Sequence, residues 1–167
     1  MQKVHIITTG GTIDKRYAPK SGELYVGAPI VAEVLGDAGV VPDLFSISEF
    51  IQKDSLEISK EERVDLARLV ARSLADRIMI THGTDTMRQT AMVIDAATKD
   101  KTVVLTGAFV PGSMDGSDAH FNIGGAFVAA QILPPGVYIA MNGRALPYEI
   151  YKKNHTSARF LPVKAAA

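Results

Sequence analysis

The chain has 167 residues, 47% apolar and 22% charged, with 18 Lys and Arg against 18 Asp and Glu. That length suits one domain with a real core. Zero net charge offers no field for nucleic acid or a membrane surface, and the lack of cysteine excludes disulfides, thiolate metal sites and a cysteine nucleophile.

Residues 4–8 form an apolar run that reads as a buried strand. Residues 27–38 follow as a short helix, with Pro29 in its first turn and Gly39 as its stop. Residues 40–47 read as a second strand, with Pro42 near its start. Ser59-Lys60-Glu61-Glu62 is a capping box that opens a helix to about Leu74. Its Leu66, Leu69, Val70 and Leu74 recur at helical spacing, which predicts one buried face. Residues 78–81 form the third strand and residues 86–98 the helix after it, with Met87, Ala91, Val93 and Ile94 apolar. Residues 102–106 are the fourth strand, 117–132 the next helix and 137–141 the fifth strand. Gly124-Gly125 would let that helix approach the sheet closely, at a cost in helix propensity. Residues 142–167 read as coil or short strands. Alternating strands and helices predict a doubly wound α/β fold with a mostly parallel sheet, Rossmann- or flavodoxin-like, in a single domain with right-handed crossovers. No apolar run approaches the roughly 18 residues of a membrane span, so no membrane association is expected. A strand begins almost at once, so no signal peptide is expected and a cytoplasmic location is the default.

Two threonine-rich loops each follow an apolar strand. The first is Thr8-Thr9-Gly10-Gly11-Thr12-Ile13-Asp14; the second is Thr81-His82-Gly83-Thr84-Asp85-Thr86. Ligands of open parallel sheets bind outside the carboxyl ends of the strands, so both loops should face one site. Gly10-Gly11 permits a sharp turn that exposes backbone N–H groups, with the Thr12 hydroxyl beyond it. The loop reads either as a nucleophile-bearing turn or as a tight turn that its threonines cap. It carries neither a Walker A lysine nor G-x-G-x-x-G, so nucleotide binding is disfavoured. Asp85 reads equally as a cap for the following helix or as a ligand for a substrate ammonium. The four histidines show no i, i+4 pairing with carboxylates, so no metal is expected.

Lys152 and Lys153 follow the last strand; each reads as solvated charge or as a lysine desolvated beside a threonine. Residues 15–26 read as a mobile loop whose Tyr17 and Tyr25 could close over the first turn as a lid, or as a surface loop with a partly buried aromatic.

Taken in order, Thr8-Thr9-Gly10-Gly11-Thr12-Ile13, Asp54-Ser55, His82-Gly83-Thr84-Asp85-Thr86, Thr106-Gly107-Ala108 with Pro111, Ser117-Asp118 and Asn122, Asn142-Gly143-Arg144 and Lys152-Lys153-Asn154 resemble the amino-terminal domain of bacterial-type L-asparaginases. The resemblance spans nearly the whole chain, and its specificity lies in the ordered set. It implies hydrolysis of L-asparagine to L-aspartate and ammonia without cofactor or metal, with minor glutaminase activity. It implies Thr12 as nucleophile beside a loop tyrosine, Tyr17 with Tyr25 as second candidate. Thr84, Asp85 and Lys152 would form a second group, and Asp54 and Ser55 would grip the substrate's α-amino and α-carboxylate ends. Gly11, Gly83 and Tyr25 would also contact the substrate, and backbone N–H groups near Thr12 and Gly83 would stabilise an oxyanion. Family members usually carry a second, carboxy-terminal domain. Residues 1–167 are expected to be one domain without it, completed by its own residues or by another copy in a homodimer or homotetramer. The competing expectation is a non-catalytic amino-acid-binding module.

Overall fold

Strand β1 (Val4–Gly10) is Val-His-Ile-Ile-Thr-Thr-Gly, and nearly every position is buried. That is the composition of a strand covered on both faces, as in parallel sheets packed between helices. The computed structural model describes residues 3–162. Beside β1 lie β4 (Phe45–Lys53), β5 (Arg77–Thr81), β6 (Thr102–Thr106), β7 (Gly136–Met141) and β8 (Arg144–Pro147). Their order is β4-β1-β5-β6-β7-β8; every pairing is parallel except the last. Numbered as a series, the five parallel strands run 2-1-3-4-5, the flavodoxin-like order, and the order reverses between β1 and β5.

Successive strand residues feed opposite core layers. On one face Ile6, Met79 and Val104 pack against α1 (Val31–Asp37) and α4 (Ala119–Ile132). On the other, Ile7, Ile80 and Leu105 pack against α2 (Lys60–Arg72) and α3 (Met87–Ala97). No helix among the described residues is long and apolar enough to cross a membrane.

Several elements depart from the sequence reading. The helix expected over 27–38 begins only at Val31, because the chain before it is pinned by Asp14: its carboxylate accepts from Ile30 N–H and its carbonyl from Gly27 N–H. Pro42 opens a 3-10 turn (Pro42–Leu44), which delays the second strand to Phe45. Ser59 and Glu62 form the full capping box, but Leu74 lies beyond α2 and is exposed. Residues 15–26 are not an irregular loop: β2 (Lys15–Ala18) and β3 (Glu23–Val26) make an antiparallel hairpin. Beyond β8, β9 (Tyr151–Asn154) and β10 (Arg159–Pro162) form another, and the rest of the expected tail lies outside the described residues. Gly124 and Gly125 face outward rather than toward the sheet, and a β-carbon on either would meet nothing.

Candidate active site

Both threonine loops leave the carboxyl ends of β1 and β5, the two strands that flank the order reversal. Thr9 Oγ1 donates to the Thr81 carbonyl at 2.8 Å and stitches the strand ends together. Gly11, at φ 89°, donates its N–H to the Lys53 carbonyl at 2.9 Å, so that amide is occupied by the fold. A β-carbon on Gly11 would lie 2.4 Å from the Gly83 backbone. The loops therefore meet backbone to backbone, one residue before Thr12 on one side and one before Thr84 on the other. Thr12 opens a 3-10 turn (Thr12–Asp14), and β2 follows directly. Its hydroxyl has no hydrogen-bond partner among the described residues.

Thr84 is buried, and its Oγ1 accepts from Lys153 Nζ at 2.8 Å. The same ammonium lies 2.7 Å from Asp85 Oδ1 and 5.3 Å above the Phe109 ring. Asp85 therefore pairs with a lysine; α3 starts after Thr86 without a side-chain cap. The lysine is not Lys152. Side chains alternate along β9, and Tyr151 buries its ring with its hydroxyl on the Met141 carbonyl. Lys153 shares that inward face; Lys152 alternates away from it and is exposed, reaching only the outer wall of the adjoining recess. A recess of about 430 Å³ opens beside Thr84, Asp85 and Lys153, with Arg88, Tyr148 and His155 on its wall.

Asp54 Oδ2 accepts from Lys15 Nζ at 2.8 Å, which ties the hairpin to the loop after β4. Burial alone would raise the Asp54 pKa, but Lys15, Leu56 N–H and Lys153 together hold it below the ordinary carboxylate value. The Ser55 hydroxyl is closed off by Gly83 and has no partner among the described residues. Tyr17 and Tyr25 are both exposed. In the hairpin register Tyr17 lies opposite Leu24 and Tyr25 opposite Arg16, so the two rings leave opposite faces.

Two buried ionisable groups lie under the loops. Burial pushes the Asp14 carboxyl up to about 7, against the pull of Ile30 N–H and Arg16. Burial holds His82 down at about 4, so its ring is neutral near pH 7. His82 contacts the Gly83 carbonyl through Nδ1 at 2.7 Å and Thr90 Oγ1 through Nε2 at 2.8 Å. Behind Thr90 is Arg63, which the sequence reading passed over. Its signal was available, since Arg63 stands at i of the buried stripe Leu66, Ala67 and Val70. Asp118 and Asn122 brace the crevice from the β6 side. Asp118 accepts from the N–H groups of Phe109 and Val110, and Asn122 Nδ2 donates to the Gly107 carbonyl. No group of three His, Asp or Glu among the described residues is placed to hold a metal ion.

Loops of this composition at this switch point are matched by a known family model. The model described as "Asparaginase, N-terminal" covers residues 3–160. The chain belongs to the asparaginase family. This asparaginase-family chain is 32% identical over 166 residues to the L-asparaginase of Bacillus licheniformis, covering 93% of this chain and 51% of that protein. It is 32% identical over 152 residues to a glutamyl-tRNA(Gln) amidotransferase subunit of Methanococcus maripaludis, covering 86% of this chain and 35% of that one. Among solved structures, the thermostable L-asparaginase of Thermococcus kodakarensis superimposes with a TM-score of 0.83 at 27% identity, over 98% of this chain and 52% of that one. The chain thus spans about half the length of the L-asparaginases it matches.

Proposed function

We propose that this chain carries the catalytic groups of an amidohydrolase that converts L-asparagine to L-aspartate and ammonia, with some action on L-glutamine. One observation carries the reading: Lys153 bridges Thr84 and Asp85 at the strand ends where the Thr12 turn also arrives. The Thr12 oxygen attacks the side-chain amide carbon, and a tetrahedral oxyanion forms. Charge on that oxyanion is what preorganised N–H donors stabilise in acyl transfer. Thr84 passes its hydroxyl proton to the departing nitrogen and is refilled from the Lys153 ammonium, which Asp85 holds in place. Ammonia leaves, and water then hydrolyses the acyl-threonine, passing one proton through Thr84 back to Lys153 to restore the ammonium. Asp85 and Asp54 carry the negative charge that suits the substrate's α-ammonium. The Ser55 hydroxyl, closed off by Gly83, does not reach a ligand in this arrangement. Rejecting glutamine on one extra methylene is worth only about 1–3 kcal/mol, which supports a secondary glutaminase activity.

Thr12 needs a base, because a hydroxyl is weakly nucleophilic at neutral pH. Tyr17 or Tyr25, as the phenolate, accepts that proton when the hairpin closes and hands it back to Thr12 as water splits the acyl-threonine. A homodimer or homotetramer, and a cytoplasmic location, belong to the same reading. A second reading, an amino-acid-binding module without turnover, is favoured by the unpartnered Thr12 hydroxyl. Ammonia release from L-asparagine and L-glutamine, run from micromolar to tens of millimolar beside Thr12→Ala and Thr84→Ala, separates the two. Turnover of asparagine that both substitutions abolish supports the enzyme. No turnover, with asparagine still raising the melting temperature, leaves the binding module.

A further inference from the structure

Arg63 is buried, and no ion pair holds it among the described residues. All five of its N–H donors are nonetheless used. Nη1 donates to the carbonyls of Ile58 and Ser59. Nη2 donates to Thr86 Oγ1 at 2.8 Å and to the Ser55 carbonyl at 3.2 Å; Nε donates to Thr90 Oγ1 at 3.2 Å. A guanidinium only donates, so both threonine oxygens must accept from it and turn their own hydrogens elsewhere. Thr86 gives its hydrogen to the Ser55 carbonyl at 2.7 Å. Thr90 faces His82 Nε2. A carbonyl only accepts, so the nitrogen beside the Gly83 carbonyl carries the ring hydrogen. With the ring neutral, Nε2 is bare and takes the Thr90 hydrogen.

Two hydrogen-bond chains therefore leave one cation. One runs Arg63, Thr90, His82 to the Gly83 carbonyl, next to Thr84. The other runs Arg63, Thr86 to the Ser55 carbonyl, in the candidate substrate loop. We infer that Arg63 is a positioning residue: it fixes the proton direction of both chains and so holds the Gly83–Thr84 turn and the Ser55 turn in register across the crevice. Lysine cannot substitute, because one ammonium does not reproduce a planar five-donor fork. The consequence for turnover rests on the amidohydrolase reading; the proton direction does not.

The decisive measurement is the nitrogen NMR spectrum of His82 in the uniformly 15N-labelled parent and in Arg63→Lys and Thr90→Val. The expected parent signal is a neutral ring protonated on Nδ1, against the Nε2 form that free imidazole side chains favour in water. Thr90→Val removes one hydroxyl and leaves Arg63 its other contacts; the Nε2 signal should then move to that of a nitrogen without a donor. In ammonia release, Thr90→Val should lower kcat about tenfold or more, as misplacement of a catalytic group does. Thr86→Val should act mainly by raising KM. An Nε2-protonated parent ring overturns the inference, and the parent spectrum decides this even if a variant fails to fold. A parent with the Nδ1 form but no turnover supports the hydrogen-bond direction while overturning the amidohydrolase reading. A Thr90→Val spectrum identical to the parent's overturns the chain through Thr90.

Discussion

Gly11 and Gly83 are in backbone contact: a β-carbon on Gly11 would lie 2.4 Å from both Gly83 Cα and Gly83 N. No side chain fits that gap, and Gly11 also holds φ 89°, which L-residues rarely adopt. The turns carrying Thr12 and Thr84 are thus held at a separation only glycine permits. Gly11→Ala must push one turn away and strain its own backbone, at about 1–3 kcal/mol. Displacement of one turn by about 1 Å would cost on the order of a hundredfold in kcat for asparagine. Ammonia release and thermal unfolding check this; parent-like values in both would show that the contact does not position the site.

Lys153, not Lys152, bridges Thr84 and Asp85. Positioned proton-transfer groups contribute about 10²–10⁴-fold. Lys153→Ala should therefore lower kcat by at least about a hundredfold, whereas Lys152→Ala, which removes an exposed charge, should stay within about twofold. Equal losses in the two variants would remove the assignment. Lys153→Ala also leaves Asp85 unpaired at the recess, so binding of an ammonium-bearing ligand should change along with turnover.

The doubly wound layout was legible because apolar runs and helical stripes repeat in order along the chain, and the two strand-end loops marked the crevice. Lys153 was not read as the bridging lysine, although the cue was local: Tyr151 and Lys153 are two apart on one strand, and Tyr151 buries its ring. Arg63 was missed because charge suggests solvent, while its place on the stripe with Leu66, Ala67 and Val70 puts it inside. The late start of α1 could not be read locally, since it depends on Asp14, 16 residues away from Ile30. Gly124-Gly125 looked like a packing feature, but nothing in the sequence told which side of α4 they occupy.

Asp14 and His82 should give opposite pH dependences of stability. Asp14 is raised from 3.8 to about 7. The unfolded chain gives up that proton first, so stability present below about pH 4 is lost as pH rises toward 7. His82 is lowered from 6.5 to about 4. The unfolded chain takes up that proton first, so stability present above pH 6.5 is lost as pH falls toward 4. Each slope is about 1.4 kcal/mol per pH unit, and between pH 4 and 6.5 they oppose. Asp14→Asn keeps an acceptor for Ile30 N–H and removes only the first slope. The stability difference between Asp14→Asn and parent should grow in favour of the variant from pH 4 to 7, by about 4 kcal/mol at most. Denaturant midpoints across that range test it; a difference that does not vary with pH would mean Asp14 ionises normally.

The hairpin register places Tyr17 and Tyr25 on opposite faces of β2 and β3. Tyr17 shares its face with Lys15, which already grips Asp54. Tyr25 shares its face with Arg16, whose side chain packs against Gly27. A two-stranded hairpin that swings over the crevice as a unit can turn only one of these faces to Thr12. Phe substitution removes a hydroxyl and keeps the ring, so it tests proton transfer rather than packing. One of Tyr17→Phe and Tyr25→Phe should lose about a hundredfold in kcat, the contribution expected of a positioned acid or base, and the other should stay near the parent value. Lys15→Met cuts the tie to Asp54 and should loosen closure, so it should weaken kcat/KM whichever tyrosine acts. Equal losses in both Phe variants would mean that the hairpin does not close as one body, and parent-like activity in both would remove tyrosine from the mechanism.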